Sequence, residues 1–346
     1  SLQLRALAGQ QSTTNKGCFI SPAAVNARVM TPPTSTPLLR GLPCCLACFF
    51  PGRPLLRTAT GSGLPAGTGM VIEIVSAFSR GTPVGAIAEA TKSGTIGSCV
   101  NDEYDAGKDT KGKAQDFRGG TAYWSPDTGA HALFGAILAK YNALGGPAGW
   151  LGFPVTGETP APDGVGRFVH FQHGSVYWTP QTGAYAIPGD MFTAWGENGY
   201  EGGDLKYPVA EANQVGQGYV QKFQGGFLTR NPDGKHFIVH GAIAEKYGEI
   251  GTATSELGYP TGNEIAVKGG FFQPFEHGNI YWSAATGAHT ILTGDIFDEW
   301  GKRGYEQGEL GWPVKDMEKI PAGGLTIDFQ RGTIEQVNGN VNVRKK

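Results

Sequence analysis

A repeat with a period of about 53 residues constrains this 346-residue chain more than any other feature. One marker is a tetrapeptide of the type Leu-Gly-aromatic-Pro, whose prolines lie 54, 52 and 53 residues apart at Pro154, Pro208, Pro260 and Pro313. Another is Phe-x-x-Gly, with its phenylalanines at Phe117, Phe171, Phe223, Phe275 and Phe329. A third is a glycine followed two residues later by an apolar residue, at Gly135, Gly189, Gly241 and Gly294. Three markers with one period indicate small units that bury their apolar faces against their neighbours.

The residue pattern of each unit predicts a β-hairpin followed by a short helix. After Phe-x-x-Gly come strand-like residues such as 175–178, a turn, and a second short strand at 184–187. From each marker glycine, apolar residues follow at positions +2, +3 and +6, which form one face of a helix, and a glycine at +10 is placed to end it. The sequence therefore predicts an α+β repeat protein of five pseudo-repeats. We expect them to close into a ring, with an open solenoid as the alternative.

The domain organisation follows from the same markers. A repeat domain is expected over residues 72–346, with a degenerate first unit at 82–116, units from 117, 171, 223 and 275, and a terminal half-unit at 329–346. Residues 1–71 contain no Asp or Glu and hold four of the five cysteines. That composition is typical of a transit peptide or a disordered segment, so we expect a disordered or non-native leader there.

Composition and motif searches favour a non-catalytic protein. The net charge of −2 does not indicate binding to nucleic acid, and no apolar run reaches the length of a membrane span. The sequence has no GxSxG, GxGxxG or P-loop motif, and its histidines and cysteines lack zinc-site spacing. We therefore predict a monomer with no cofactor, no metal and no catalytic residue.

Several motifs in register give the chain a resemblance to a known family. WLGFP with Glu158 after it, FQHGSVYW, TGAY, TGAH and GAIAEKY resemble the LGFP repeat of actinobacterial surface proteins, over roughly residues 82–342. Those repeats accompany mycolyltransferases, esterases and peptidoglycan-acting enzymes. The resemblance implies an extracellular or cell-wall-associated module that binds a cell-wall polysaccharide or a glycolipid. The alternatives are a secreted cell-wall hydrolase with its site between repeats, and a scaffold with no small ligand.

A Tyr-Trp pair is the leading candidate for ligand contact. Across the five units the Trp position holds Trp124, Trp178, Arg230, Trp282 and Gln336. Because unpaired buried charge is costly, a position that accepts Arg is not expected to be fully buried. The tryptophans should then lie at the edge of a core with one ring face open to a sugar. The predicted ligand-binding pairs are Tyr123 with Trp124, Tyr177 with Trp178, and Tyr281 with Trp282. Ordinary half-buried packing is the alternative.

Further polar residues could complete one aromatic-polar pocket in each repeat. His131, Tyr185 and His289 occupy one position after Thr-Gly-Ala, where the third unit offers Lys235 or His236. Glu158 and Glu264 each follow a tetrapeptide proline by four residues. The alternative for the glutamates is pairing with a neighbouring unit or backbone capping. The tetrapeptide itself is predicted to be structural, joining one unit's helix to the next hairpin.

Overall fold

The structure, a computed structural model, describes residues 26–30, 71–75, 82–109, 111–321 and 323–346. The chain divides into two compact units, Ser1–Thr82 and Pro83–Lys346, and the second is called the repeat domain below. In the first unit β1 (Asn26–Met30) pairs antiparallel with β2 (Val71–Val75). The rest of the predicted leader at 1–71 lies outside the described residues, so its disordered or non-native character stays a prediction.

The described part of the repeat domain contains five four-stranded antiparallel sheets, each a meander in chain order. Their strands are β3 (Tyr104–Ala106), β4 (Gly112–Phe117), β5 (Gly120–Ser125) and β6 (Gly129–Phe134); β7 (Thr159–Pro160), β8 (Arg167–Phe171), β9 (Gly174–Thr179) and β10 (Gly183–Pro188); β11 (Asn213–Val215), β12 (Gly218–Phe223), β13 (Gly226–Arg230) and β14 (His236–His240); β15 (Ile265–Val267), β16 (Gly270–Phe275), β17 (Gly278–Ser283) and β18 (Gly287–Leu292); and β19 (Glu318–Lys319), β20 (Gly324–Phe329), β21 (Gly332–Val337) and β22 (Asn340–Lys345).

A helix precedes each sheet in the chain. These helices are α1 (Gly85–Thr91), α2 (Gly135–Ala143), α3 (Gly189–Glu197), α4 (Gly241–Glu249) and α5 (Asp295–Lys302). We number the repeats 1 to 5, each a helix with the sheet that follows it. Five units of helix and sheet confirm the predicted number of repeats and their α+β character.

Each repeat holds two more strands than the predicted hairpin. The Phe-x-x-Gly marker is itself a hairpin turn, since β8 ends at Phe171, β9 begins at Gly174, and these two residues are paired. The strand before the marker shows no clean alternation of apolar and polar residues, because both faces of the sheet are packed. The first strand of each sheet is only two or three residues long, too short for a periodic signal.

The predicted glycines do end the helices of repeats 2 to 5. Gly145, Gly199, Gly251 and Gly304 have φ angles of 93°, 87°, 100° and 89°. This left-handed conformation carries a steric cost for residues with a Cβ atom, and it stops helix propagation. A three-residue 3-10 helix follows each of them and turns the chain toward the next sheet.

The apolar cores lie between successive sheets rather than within one repeat. Between the first two sheets, Leu133 of β6 and Val176 of β9 pack with Tyr141 of α2. The three junctions that follow are built in the same way around Trp195, Tyr247 and Trp300. The helix α1 covers the remaining face of the first sheet. Neighbouring repeats therefore stabilise one another through shared cores, as expected for a repeat array.

One face of the fifth sheet is polar. The positions that hold Tyr281 and Ile291 in the fourth sheet hold Glu335 and Arg344 in the fifth. The same face carries Thr326, Asp328, Thr333 and Asn342. All six are partly or fully exposed, so the series of apolar cores stops here. Closure into a ring stays a prediction, since it would have to join the ends of the array through these polar side chains.

The tetrapeptide joins each helix to the next sheet, as predicted. In repeat 2, Leu151 is fully buried, and the Phe153 amide donates to Gln172 Oε1 at 2.8 Å. The Tyr141 hydroxyl of α2 donates to the Gly152 carbonyl at 2.7 Å. The same two bonds recur in repeat 4, from Tyr259 to Glu276 at 2.9 Å and from Tyr247 to Gly258 at 3.1 Å. The segment is thus fixed to the helix before it and to the sheet after it.

The lysine in LKYP gives a stability prediction. Gly152, Gly258 and Gly311 adopt φ angles of 71°, 74° and 74°, whereas Lys206 at the same position has φ 58°. Because a Cβ atom is disfavoured there, Lys206→Gly is expected to raise the free energy of unfolding by about 0.5–1 kcal/mol. Urea denaturation followed by tryptophan fluorescence measures it. Lys222→Gly, inside β12, serves as the control and should be destabilising. A lower stability for Lys206→Gly would contradict the prediction.

Candidate functional site

The two residues of each Tyr-Trp pair point to opposite faces of a sheet. Tyr177 is only 4 % exposed and belongs to the core between repeats 2 and 3. Trp178 is half-buried and packs against the core between repeats 1 and 2. The other pairs divide in the same way, with buried Tyr123 and Tyr281 and half-buried Trp124 and Trp282. Each pair therefore serves two different cores, and ligand contact by either residue stays a prediction.

The residues after Thr-Gly-Ala lie directly across from the tyrosines. His131 is paired with Tyr123, Tyr185 with Tyr177, and His289 with Tyr281. In repeat 3 this position is Phe237, opposite Thr229, so the expectation of Lys235 or His236 is wrong. The turn glycine of repeat 3 is Gly234, one residue earlier than in repeats 1, 2 and 4, which displaced the alignment.

The two histidines are anchored within their own turns. His131 Nε2 donates to the Thr128 carbonyl at 2.9 Å, and His289 Nε2 donates to the Thr286 carbonyl at 2.7 Å. Each ring therefore has one nitrogen engaged by the turn. The other ring nitrogen of His289, Nδ1, is buried and lies 3.7 Å from Asp316 Oδ1.

Repeat 2 brings two of the predicted residues together around a guanidinium group. Glu158 forms an ion pair with Arg167, and Arg167 lies opposite Trp178 on the same face of the sheet. The Glu158 side chain is 6 % exposed and that of Arg167 is 36 % exposed. Burial raises the pKa of the Glu158 carboxyl, and the Arg167 charge partly opposes that shift. The group presents an indole, a set of N–H donors and a carboxylate side by side.

In repeat 4 the equivalent tryptophan has an aromatic partner instead. Trp282 stacks on Phe271 with ring centroids 5.9 Å apart, and Phe271 is 37 % exposed. Glu264 has its Oε1 atom 3.9 Å from His240 Nε2 of repeat 3. Burial raises the pKa of Glu264, and the nearby His240 opposes that shift. Glu264 thus contacts the neighbouring repeat, which is the alternative that the sequence left open.

The position of the tryptophan in each sheet also accepts polar residues. In the repeats where it does, the residue directly after the marker glycine, at the start of the helix, is an aspartate that pairs with the polar side chain. Arg230 Nε lies 2.6 Å from Asp190 Oδ2, and Gln336 Nε2 donates to Asp295 Oδ2 at 2.7 Å. The repeats that carry tryptophan have alanine at that helix position, namely Ala86, Ala136 and Ala242. The polar side chains are therefore paired, so their presence alone does not show that the position is open to solvent. This correction could have been found by comparing the two sequence positions together.

Residues in the described part of the repeat domain also line cavities that the sequence did not indicate. One of about 550 Å³ lies between repeats 2 and 3 and is lined by Trp150, Pro188, Asp190, Glu211, Tyr219 and Arg230, among others. Another of about 340 Å³ lies beside the end of α2 and is lined by Tyr104, Tyr123 and Asn142, among others. Of the predicted site residues, Tyr123 lines the second cavity and none lines the first.

Asp316 of repeat 5 contacts two residues of repeat 4. Its Oδ1 accepts the Thr290 amide at 2.8 Å, and its Oδ2 lies 3.1 Å from Lys246 Nζ. Burial acts to raise the pKa of Asp316, but the nearby His289 ring, the Thr290 amide and Lys246 outweigh it and hold the pKa well below its usual range.

A carboxyl whose folded pKa is depressed stabilises the fold above its unfolded pKa of about 3.9 and loses that contribution as the pH falls further. Wild-type stability is therefore expected to fall between pH 5 and pH 3 by more than the stability of Asp316→Asn. Urea midpoints at each pH measure this, with the exposed Asp127→Asn as the control. Parallel pH profiles for the wild type and Asp316→Asn would contradict the prediction.

Among the described residues, no three side chains of His, Cys, Asp or Glu are grouped so that they could hold a metal ion. No helix in the described part of the chain has the length and apolar character needed to cross a membrane.

Comparison with known protein families gives a clear match. A family model described as LGFP repeat matches residues 96–149, 151–203, 205–255 and 257–308, which is more than half of the chain. The chain belongs to the LGFP repeat family. Each matched segment of this LGFP-repeat protein begins at its tetrapeptide and ends just before the next one, so it runs across a sheet and the following helix.

No curated protein matches the LGFP-repeat chain. Among solved structures, it is similar to the extracellular domain of a hybrid two-component system from B. thetaiotaomicron, with 10% identity, 70% of this chain and 28% of that chain covered, and a TM-score of 0.16. The extracellular domain of a one-component system from B. thetaiotaomicron gives 8% identity, 70% and 30% coverage, and a TM-score of 0.15. The chain spans less than a third of either protein, and such TM-scores are too low to show a shared fold.

Proposed function

We propose that the LGFP-repeat domain is a non-catalytic, carbohydrate-binding module that attaches to a cell-wall polysaccharide or a glycolipid outside the cell. The observation that carries this proposal is the half-buried state of Trp178 and Trp282, which occupy the same position in two repeats. Each indole is held by a core on one side. Trp282 also stacks on Phe271, which is 37 % exposed, and a rigid, partly exposed aromatic surface can pack against the C–H face of a pyranose.

The neighbours of Trp178 supply the polar part of such a site. The Arg167 guanidinium, on a side chain that is 36 % exposed, offers N–H donors to sugar hydroxyls. The Glu158 carboxylate, on a side chain that is only 6 % exposed, pairs with that guanidinium and balances its charge. The other two sites are variants of this arrangement, with Lys113 opposite Trp124 and Phe271 opposite Trp282.

Repetition strengthens the proposal. Several weak sites on one array can bind a polymer far more tightly than any one of them, provided that the polymer reaches more than one site. Membership of the LGFP repeat family supports an envelope glycan as the polymer and an extracellular or cell-wall-associated location.

The test is a pull-down of the full chain on insoluble cell-wall polysaccharide. Trp124→Ala, Trp178→Ala and Trp282→Ala should each reduce the bound fraction, and the triple variant should abolish binding. Tyr305→Ala is the control, since Tyr305 is 39 % exposed and lies outside the proposed sites. A folded triple variant that still binds would overturn the tryptophan sites. Release of soluble sugars by the wild type would overturn the non-catalytic role.

A further inference from the structure

We propose that the cavity between repeats 2 and 3 is a separate binding site for one neutral pyranose residue. The choice of ligand class rests on the proposed function, but the site consists of different residues. Its volume of about 550 Å³ falls within the range of roughly 300–1,000 Å³ that small-ligand pockets occupy.

The cavity lies where repeat 3 departs from the tryptophan-bearing repeats. The position of Trp178 and Trp282 is taken by Arg230, whose guanidinium is held by Asp190 at the start of α3. A guanidinium drawn toward the helix leaves room where the other repeats place an indole. The structure shows this room as part of the cavity, with both Arg230 and Asp190 in its wall.

Trp150 provides the aromatic wall. Repeats 3, 4 and 5 have an acidic residue at this position, namely Asp204, Glu256 and Glu309, and repeat 1 has Thr95. Trp150 is 42 % exposed, and its ring edge lies close to Gly174, where an added Cβ atom would be 3.0 Å from the ring. A partly exposed indole that lines a cavity gives a flat surface for the C–H face of a sugar.

The polar groups of the cavity suit hydroxyls better than a charged ligand. Asp190 is paired with Arg230, and Glu211 Oε1 is 2.7 Å from Lys140 Nζ. Both carboxylates are thus neutralised by a partner, while their remaining lone pairs can accept from hydroxyl groups. With each carboxylate paired, the wall holds no unpaired carboxylate or guanidinium that would select an anionic or a cationic ligand.

The experiment uses substitutions that introduce residues found at the equivalent positions of other repeats in this chain. Trp150→Glu introduces the residue found at Glu256 and Glu309, and the double variant Asp190→Ala with Arg230→Trp introduces the pair found at Ala136 and Trp178. Both should therefore fold, which thermal unfolding can check. The probes are the methyl glycosides of glucose, galactose and mannose, with glucuronate as the charged comparison. Binding to the full chain is measured by calorimetry and saturation-transfer NMR.

The wild type should bind at least one methyl glycoside more tightly than glucuronate, and both variants should bind it at least about ten-fold more weakly. A wild type that binds none of the glycosides, or variants that bind as well as the wild type, would overturn the inference.

The two proposals can fail independently. Loss of the polysaccharide pull-down in Trp178→Ala and Trp282→Ala, with unchanged glycoside binding by the Trp150→Glu variant, would overturn the cavity site alone. Loss of glycoside binding in Trp150→Glu, with an unchanged pull-down by the tryptophan triple variant, would support the cavity site and overturn the three repeated sites.

Discussion

Trp300→Ala is expected to lower the free energy of unfolding by about 3–5 kcal/mol. Trp300 is fully buried between the fourth and fifth sheets, with its ring 4.8 Å from that of Tyr281 and 5.2 Å from that of Phe329. Its Nε1 donates to the Gly311 carbonyl at 3.2 Å. Alanine would leave a cavity at the centre of the core that joins repeats 4 and 5, and it would remove that hydrogen bond. Urea denaturation at constant temperature measures the loss.

Trp300→Tyr is the matched control. Repeats 2 and 4 carry Tyr141 and Tyr247 at this helix position, and their hydroxyls donate to the corresponding tetrapeptide carbonyls. The tyrosine variant fills most of the space and has a hydroxyl for the Gly311 carbonyl, so its cost is expected to stay below about 1.5 kcal/mol. Equal stability of the alanine and tyrosine variants would show that this position is not a core residue.

Gly278→Ala is expected to lower the free energy of unfolding by about 1–3 kcal/mol or more. A Cβ atom at Gly278 would lie 2.5 Å from the Ile291 carbonyl oxygen and 2.8 Å from Leu257 Cδ2. The first of these is backbone of the adjacent strand β18, which cannot move aside without breaking the sheet.

The same close approach explains the glycine of every Phe-x-x-Gly marker. In all five sheets a Cβ atom there would come within 2.6 Å of a backbone oxygen on the adjacent strand, at Gly120, Gly174, Gly226, Gly278 and Gly332. Gly157→Ala is the control, because nothing lies within 4 Å of a Cβ atom there and its φ is not positive. Its effect should stay within about 0.5 kcal/mol. Equal destabilisation by the two substitutions, measured by urea denaturation, would contradict this explanation.

The sequence predicted the repeated architecture because its markers correspond to backbone constraints. The glycine of Phe-x-x-Gly is required by an adjacent strand, and Gly145 ends α2 in a left-handed conformation. The first constraint recurs in all five units and the second in repeats 2 to 5, so both are visible as a period. The strands before Phe-x-x-Gly were missed for the opposite reason. Their residues pack on both faces, and the alternation that identifies a half-exposed strand is absent.

The sequence predicted the candidate site less well, because the relevant contacts cross from one repeat to another. Tyr177 and Trp178 are adjacent in the chain but belong to two different cores. Trp150 and Arg230 are 80 positions apart in the sequence and line one cavity. The pairing of Arg230 with Asp190 can be recognised in the sequence. Repeats with tryptophan in the sheet have alanine after the marker glycine, and repeats with a polar residue in place of the tryptophan have aspartate there. The cavity could not be predicted from the sequence, because it forms only where repeats 2 and 3 pack together.

Under the proposed function, partly exposed tryptophans on several repeats bind one wall polysaccharide together. We test this by measuring the affinity of the wild type, Trp178→Ala, Trp282→Ala and the double variant for one soluble wall polysaccharide. Linked sites raise avidity by roughly 10²–10⁴ over a single site, so we expect each single variant to lose at least about ten-fold in affinity and the double variant to lose more. A folded double variant with wild-type affinity for the polysaccharide would contradict the claim.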